Sequence, residues 1–176
     1  MDFTVKKAIP EDLDAIAALY AAACDYLQDK PCNPNWRKDI FPARENAEEA
    51  LTEGTLYAAW DGGTLVGSIV LNTNPSAERT GEEDTLSGGT DADIFYVHLV
   101  AVHPEHLRRG VSGAMLDFTA KEAASRGAKA VRLYVWTENT PAIRAYEKSG
   151  YVRLAKADIG LGEYGLPWFY MYEKRL

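Results

Sequence analysis

The sequence is poor in the features that announce several protein classes. No stretch approaches the run of ~20 apolar residues that crosses a bilayer, so no membrane helix and no membrane partner is expected. Two cysteines occur, Cys24 and Cys32, without a CxxC partner or a histidine at metal spacing. They read as reduced thiols, and neither a disulfide framework nor a metal site is expected. Basic residues are in deficit, 19 against 26 acidic ones, for a formal charge of −7. Nucleic acid is therefore not an expected partner, because such binding relies on basic patches. An acidic surface keeps a protein soluble and is compatible with a cationic substrate. The opening Met-Asp-Phe-Thr-Val-Lys-Lys has no basic segment followed by an apolar one. It does not read as a signal peptide, and the cytoplasm is the expected compartment. The GKS or GKT ending of a P-loop and the GxGxxG of a dinucleotide fold are also missing.

What is present suits one globular domain over residues 1–176, with no internal repeat and no linker long enough to divide the chain. Phe3 to Ala8 alternates as a strand. Pro10, Glu11 and Asp12 open a helix whose stripe is Leu13, Ile16, Ala17, Tyr20, Ala23, Cys24 and Leu27. A loop with Trp36, Phe41 and Pro42 leads to a short helix over Asn46–Thr52. Thr55–Trp60 and Leu65–Asn72 flank Asp61-Gly62-Gly63, a hairpin signal. Thr73–Asp93 is polar, acidic and Gly/Ser-rich, and reads as a long surface loop. Ile94–Val102 is a nearly continuous apolar strand, followed after Gly110 by a helix from about Ser112 to Arg126. Within it Asp117 and Lys121, and Glu122 and Arg126, are spaced to pair. Ala130–Trp136 is a further strand. Thr140 is placed to cap a helix that Gly150 ends. Tyr151–Ala157 and Trp168–Glu173 are the last strands. The predicted order is β-α-α-β-β-β-α-β-α-β-β.

The strand–turn–helix at residues 94–126 carries chemistry. A helix N-terminus offers unpaired N–H groups and a partial positive charge, and phosphates bind there. Gly110 lets the backbone turn sharply. Arg108 and Arg109 add full charge, and Val111, Ser112 and Gly113 begin the helix. Taken alone this is an anion site or an ordinary strand-to-helix connection. Further on, Asn139, Ala142, Tyr146, Gly150 and Tyr151 recur at fixed intervals after a strand.

Together these two segments resemble the GCN5-related N-acetyltransferases. The first matches that family's motif A: Val102, Pro104 and a phosphate-binding turn ending in Gly110. The second matches its motif B: Asn139-x-x-Ala142-x-x-x-Tyr146-x-x-x-Gly150-Tyr151. Leu107 and Ser112 depart from the family pattern, which has Arg or Gln, and Gly or Ala, at those places. The resemblance implies an α/β (α+β) fold: a central mixed, mostly antiparallel sheet of about seven strands with about four helices, strands four and five splayed. It also implies acetyl-CoA as co-substrate, no metal, and direct transfer of acetyl to a primary amine of a small molecule or peptide. Homodimers are common in the family.

By that resemblance the main chain of Val100 and Val102 holds the pantetheine arm, with the Val102 amide polarising the thioester carbonyl. Arg108, Arg109, Gly110, Val111, Ser112 and Gly113 hold the pyrophosphate, and Asn139, Ala142 and Tyr146 complete the cofactor contacts. Tyr146 is the candidate general acid; its alternative is packing against its own helix face. His98 is the candidate base, since it is the only ionisable side chain inside its strand and an imidazole is mostly neutral at pH 7. Its alternative is a core histidine, or an ordered water as base. Alternation places Tyr96, His98, Val100 and Val102 on one side. Trp36, Tyr96, Trp136 and Tyr170 are candidates to line an acceptor pocket. A non-catalytic acyl-CoA-binding module and a nucleotide-binding protein are the other readings of the same turn.

Overall fold

The structure is a computed structural model that describes residues 3–75 and 93–176. The predicted acidic loop therefore falls, from residue 76 to 92, outside the described residues. Among the described residues, seven strands and four helices follow the predicted order: β1 Thr4–Lys7, α1 Leu13–Leu27, α2 Arg44–Thr52, β2 Leu56–Asp61, β3 Thr64–Asn72, β4 Ile94–Val102, α3 Val111–Ser125, β5 Ala130–Trp136, α4 Thr140–Lys148, β6 Val152–Ala157 and β7 Phe169–Arg175. The strands form one sheet in the order β1-β2-β3-β4-β5-β7-β6. The pairs β1–β2, β2–β3, β5–β7 and β6–β7 are antiparallel. The pair β4–β5 is parallel and short: Ile94–Tyr96 run beside Ala130–Arg132, and the strands are splayed beyond.

The chain divides into two compact units, Met1–Leu71 with His98–Met115, and Asn72–Val97 with Leu116–Leu176. In the first, a 3-10 turn at Pro10–Asp12 leads into α1, and Asp12 Oδ2 accepts the Ile9 N–H at 3.1 Å. α1 buries Ile16, Leu19, Tyr20, Ala23 and Cys24, a stripe at helical spacing to which the structure adds Leu19. Ile16, Leu19 and Tyr20 pack with Ala47 and Ala50 of α2, with Leu56, Ala58 and Val70 of the hairpin, and with Ala101 of β4. Gly67 on β3 has a steric reason: a Cβ there would lie 3.0 Å from the Ala101 carbonyl oxygen and from the Met115 thioether. Any side chain would push β4 and α3 off β3.

The second unit holds a buried ion pair. Arg132 of β5 and Glu173 of β7 are opposite one another, both 0% exposed, with Nε donating to Oε2 at 2.8 Å. Tyr96 of β4 is opposite Arg132 on the other side and interacts with the same guanidinium. Ile94, Tyr96 and Ala130 form the small apolar cluster beside it. On α3, Glu122 and Arg126 pair as predicted, whereas Asp117 turns to Lys174 of β7 at 3.5 Å instead of to Lys121. A lysine of β7 within reach displaces the exposed helical neighbour.

Removing one partner of a buried pair strands the other charge without water. Glu173→Gln is therefore expected to cost about 3–5 kcal/mol of stability, while the apolar double variant Arg132→Met/Glu173→Leu recovers most of that loss. Urea denaturation midpoints of the two proteins check this. Equal midpoints for Glu173→Gln and the parent chain would contradict it.

Candidate acyl-donor site

The turn after β4 belongs to the first unit. The His103 N–H donates to the Val66 carbonyl at 2.9 Å, which fixes the end of β4 to β3. His103 Nδ1 then accepts the Glu105 N–H at 3.3 Å, at the start of a 3-10 turn over Pro104–His106. The backbone reverses through Arg108 at φ +61° and Gly110 at φ +91°. Only glycine takes the second angle without strain. The first intrahelical bond of α3 is Ala114 N–H to Gly110 carbonyl, 3.0 Å. The N–H groups of Val111, Ser112 and Gly113 precede it and have no acceptor in the helix. Among the described residues, and beyond the local backbone, no atom lies within 4 Å of where a Cβ would stand at Gly110 or Gly113.

The two arginines differ. Arg109 donates to Asp61 Oδ2 at 3.1 Å, which ties the turn to the tip of the β2–β3 hairpin. Arg108 is exposed and has no acidic partner among the described residues. A free guanidinium and three free amides around one turn are the chemistry that holds a phosphate or pyrophosphate.

β4 itself is irregular. Leu99 sits at φ +46° inside the strand. For a branched side chain that region costs roughly 1–2 kcal/mol. Such strain persists only where the surroundings impose it, and it clusters at functional sites. Tyr96 packs with Ile94 and Ala130, whereas Leu99 and Ala101 pack with the α1–α2 core. His98, Val100 and Val102 are half-buried.

In the second unit, α4 is capped by Asn139, whose side-chain oxygen accepts the Ala142 N–H at 3.4 Å. The predicted cap, Thr140, is instead the first helical residue. Asn139 has the shorter reach to the third amide and the non-helical backbone that a cap requires. Tyr146 is buried, 8% exposed, and its ring is tilted against that of Tyr151 at 6.2 Å. Burial pushes the Tyr146 phenol well above its ordinary value of about 10. Tyr151 is pushed up by burial and then by Tyr146, and the buried Thr119 offsets part of the rise.

The aromatic candidates take different places. Trp36 is half-buried against the α1–α2 core, and its main chain is held from both sides by the Asn33 amide. Tyr96 is 2% exposed beside Arg132. Trp136 is half-buried opposite Phe169. The Tyr170 ring lies 4.5 Å from the Arg153 guanidinium. Among the described residues, no group of three His, Cys, Asp or Glu side chains is arranged to hold a metal. Two open hollows, of about 300 and about 280 Å³, line β6–β7 and the exposed side of α3, and neither includes a residue of the turn or of α4.

Against known proteins, the sequence matches the profile of the Acetyltransferase (GNAT) family over residues 16–151. The chain belongs to the GNAT family. The matched span takes in the turn and all of α4, and draws on both compact units. Among curated relatives, a mycothiol acetyltransferase from Thermobispora bispora is 31% identical over 142 residues, 81% of this chain and 43% of the relative. Another, from Geodermatophilus obscurus, is 29% identical over 125 residues, 71% of this chain and 37% of the relative. The chain thus spans less than half the length of these relatives. Among solved structures, a GNAT acetyltransferase from Streptococcus agalactiae superposes with a TM-score of 0.80 at 15% identity, covering 99% of this chain and 95% of that one. The protein yncA from Salmonella typhimurium, solved with its cofactor acetyl-CoA, gives 0.72 at 16% identity, covering 100% and 95%. At these identities the structural likeness establishes the GNAT fold.

The buried phenols carry a pH dependence. Tyr20, Tyr146, Tyr151 and Tyr172 are all raised, first by burial, and Tyr172 reaches about 12. In the unfolded chain they ionise near their ordinary value of about 10, so above that pH unfolding releases protons that folding retains. Their stabilising contribution is complete below pH ~10 and is lost as pH rises further. A tyrosinate absorbance titration should show these four ionising only as the fold is lost. Reversible ionisation of all ten tyrosines near the ordinary value would contradict their burial.

Proposed function

We propose that residues 1–176 act as one acetyl-CoA-dependent N-acetyltransferase domain that passes acetyl directly to a primary amine. The observation that carries the reading is the turn at Arg108–Gly113, with amides that have no acceptor in the helix and an arginine with no acidic partner among the described residues, lying in the same GNAT match as the buried Tyr146. The relatives' naming after mycothiol, and not after a protein, supports a small-molecule acceptor.

In this reading the amides of Gly110, Val111, Ser112 and Gly113, with Arg108 and Arg109, hold the donor's pyrophosphate. The turn fits that group because Gly110 and Gly113 leave room beside the main chain among the described residues and Ser112 adds a small hydroxyl donor. Leu107, a departure from the family pattern, contributes no charge, so the main chain carries most of the binding. The main chain at Val100 and Val102 holds the pantetheine arm, and the strained Leu99 sets the direction of the groups after it. The Val102 N–H polarises the thioester carbonyl. Asn139 and Ala142 add contacts from the start of α4.

The acceptor amine must lose its proton before attack, since a free alkylamine titrates near ~10. His98, or a water held by it, takes that proton. The nitrogen bonds to the carbonyl carbon and sheds its second proton, the C–S bond breaks, and the sulfur leaves with the electron pair and takes up that proton as the thiol. Tyr146 faces that charge as a hydrogen-bond donor. A phenol and a thiol differ by about 1.5 pKa units, roughly 2 kcal/mol, and burial of Tyr146 widens the gap. Full proton transfer from tyrosine is therefore uphill, and a bond that strengthens as charge develops is the effective contribution. Trp36 and Trp136 are the proposed acceptor-lining aromatics, because Tyr96 and Tyr170 are engaged by arginines.

Coenzyme A release from acetyl-CoA, measured across a broad panel of amines, tests the reading. Tyr146→Phe should lower kcat by about 10–100-fold with little change in the acetyl-CoA KM. Unchanged turnover would remove Tyr146 from the chemistry. Acetyl-CoA binding with no turnover on any amine would favour a non-catalytic acyl-CoA-binding module.

A further inference from the structure

The outer strands β6 and β7 present a second set of cations unrelated to the turn. β6 is the edge strand and pairs only with β7. A bulge interrupts its register between Arg153 and Ala155: Arg153 is opposite Tyr172, and Lys156 is opposite Tyr170. In a regular strand residues three apart point to opposite faces. The extra residue restores the phase, so Arg153 and Lys156 share the face on which β7 presents Tyr170 and Tyr172.

Both cations are pinned on aromatic rings. The Arg153 guanidinium lies 4.5 Å from the Tyr170 ring centroid, and the Lys156 ammonium lies 4.9 Å from that of Trp168. Neither forms an ion pair with an acidic residue among the described residues, in a chain whose formal charge is −7. The nearby Glu147 is committed to the Tyr172 hydroxyl, which donates to it at 2.8 Å. Between the cations lies an open hollow of about 300 Å³, lined by Arg153, Leu154, Ala155, Lys156 and Tyr170. A guanidinium held on a ring keeps its N–H edge free, and that fork matches the two oxygens of a carboxylate or phosphate. Cation–aromatic contact also fixes the long side chains in advance, which lowers the entropy lost on binding.

We propose that the β6–β7 hollow is a binding site for a small oxyanion, with Arg153 as the planar fork, Lys156 as the second charge, and Tyr170 and Trp168 as the platforms that hold them. The site binds carboxylate or phosphate groups, and its occupation does not depend on acyl transfer. The bulge is its structural cause, because a regular β6 would send one of the two cations to the opposite face.

The test is an amide and arginine side-chain NMR titration of the isotope-labelled chain at fixed ionic strength. Inorganic phosphate is the probe in one arm and succinate in the other. The expected result is a saturable shift confined to Arg153–Lys156 and Tyr170 in at least one arm, and the arm that saturates at lower concentration identifies the oxyanion. In Arg153→Gln/Lys156→Gln, whose spectrum elsewhere shows that it is folded, binding should weaken by about tenfold or more. Arg153→Lys keeps the charge without the fork and should weaken it less. Linear shifts without saturation in both arms, or unchanged binding in the double glutamine variant, would overturn the proposal.

Discussion

Arginine and glutamate side chains with no solvent exposure are rare in a sheet, and this one is arranged around such a pair. Arg132 of β5 reaches Glu173 of β7 on one side and Tyr96 of β4 on the other. The constraint is electrostatic and directional. An unpaired charge in that place would cost several kcal/mol, so a one-residue slip of either neighbouring strand is penalised heavily. The pair therefore holds the short parallel contact of Ile94–Tyr96 with Ala130–Arg132 in one register. Beyond that fixed start β4 runs on toward Val102 without pairing with β5.

Unusual backbone in the first unit falls at two places: the loop before α2, with Asn35 at φ +62° and Asp39 at φ +59°, and the later part of β4 with the turn after it. Leu99 has φ +46°, Arg108 φ +61° and Gly110 φ +91°, within twelve consecutive residues that end a strand and begin a helix. Elsewhere in the first unit the chain is held by ordinary means: an apolar stripe on α1, a two-glycine hairpin, and a glycine at Gly67 where strand and helix come close. Strain that packing enforces, next to amides that the fold leaves without acceptors, is the physical signature of a site for a ligand. The Arg109–Asp61 ion pair acts in the same place. It anchors the turn to the hairpin and leaves Arg108 as the free charge.

Much of this was legible in the residues. The element order came from apolar periodicity, Pro and Gly positions and the hairpin turn, because those signals are local. The turn at Gly110 and the helix with Tyr146 were legible because their residues occur at fixed spacing, and the family match spans both. Other features were not. Leu99 looks like any strand leucine, and its dihedral is imposed by neighbours far away in sequence. Asp61 reads only as a hairpin residue until the fold brings Arg109 to it. Arg132 and Glu173 are 41 residues apart, and their burial contradicts the usual exposure of both residue types. Asn139 and Thr140 are both good caps, and the choice between them depends on a backbone angle that composition does not reveal. The acceptor remains a proposal for a related reason: β6 and β7 lie beyond the matched span, and no motif is carried there.

In the proposed site the main-chain amides after Gly110 hold the phosphates of the acyl donor. Hydrogen–deuterium exchange of the full chain with and without coenzyme A tests it most directly, residue by residue. Slowed exchange at Val111, Ser112 and Gly113 on adding coenzyme A, with the far end of α3 unchanged, is the predicted result. Binding that leaves those three amides exchanging as before would contradict it.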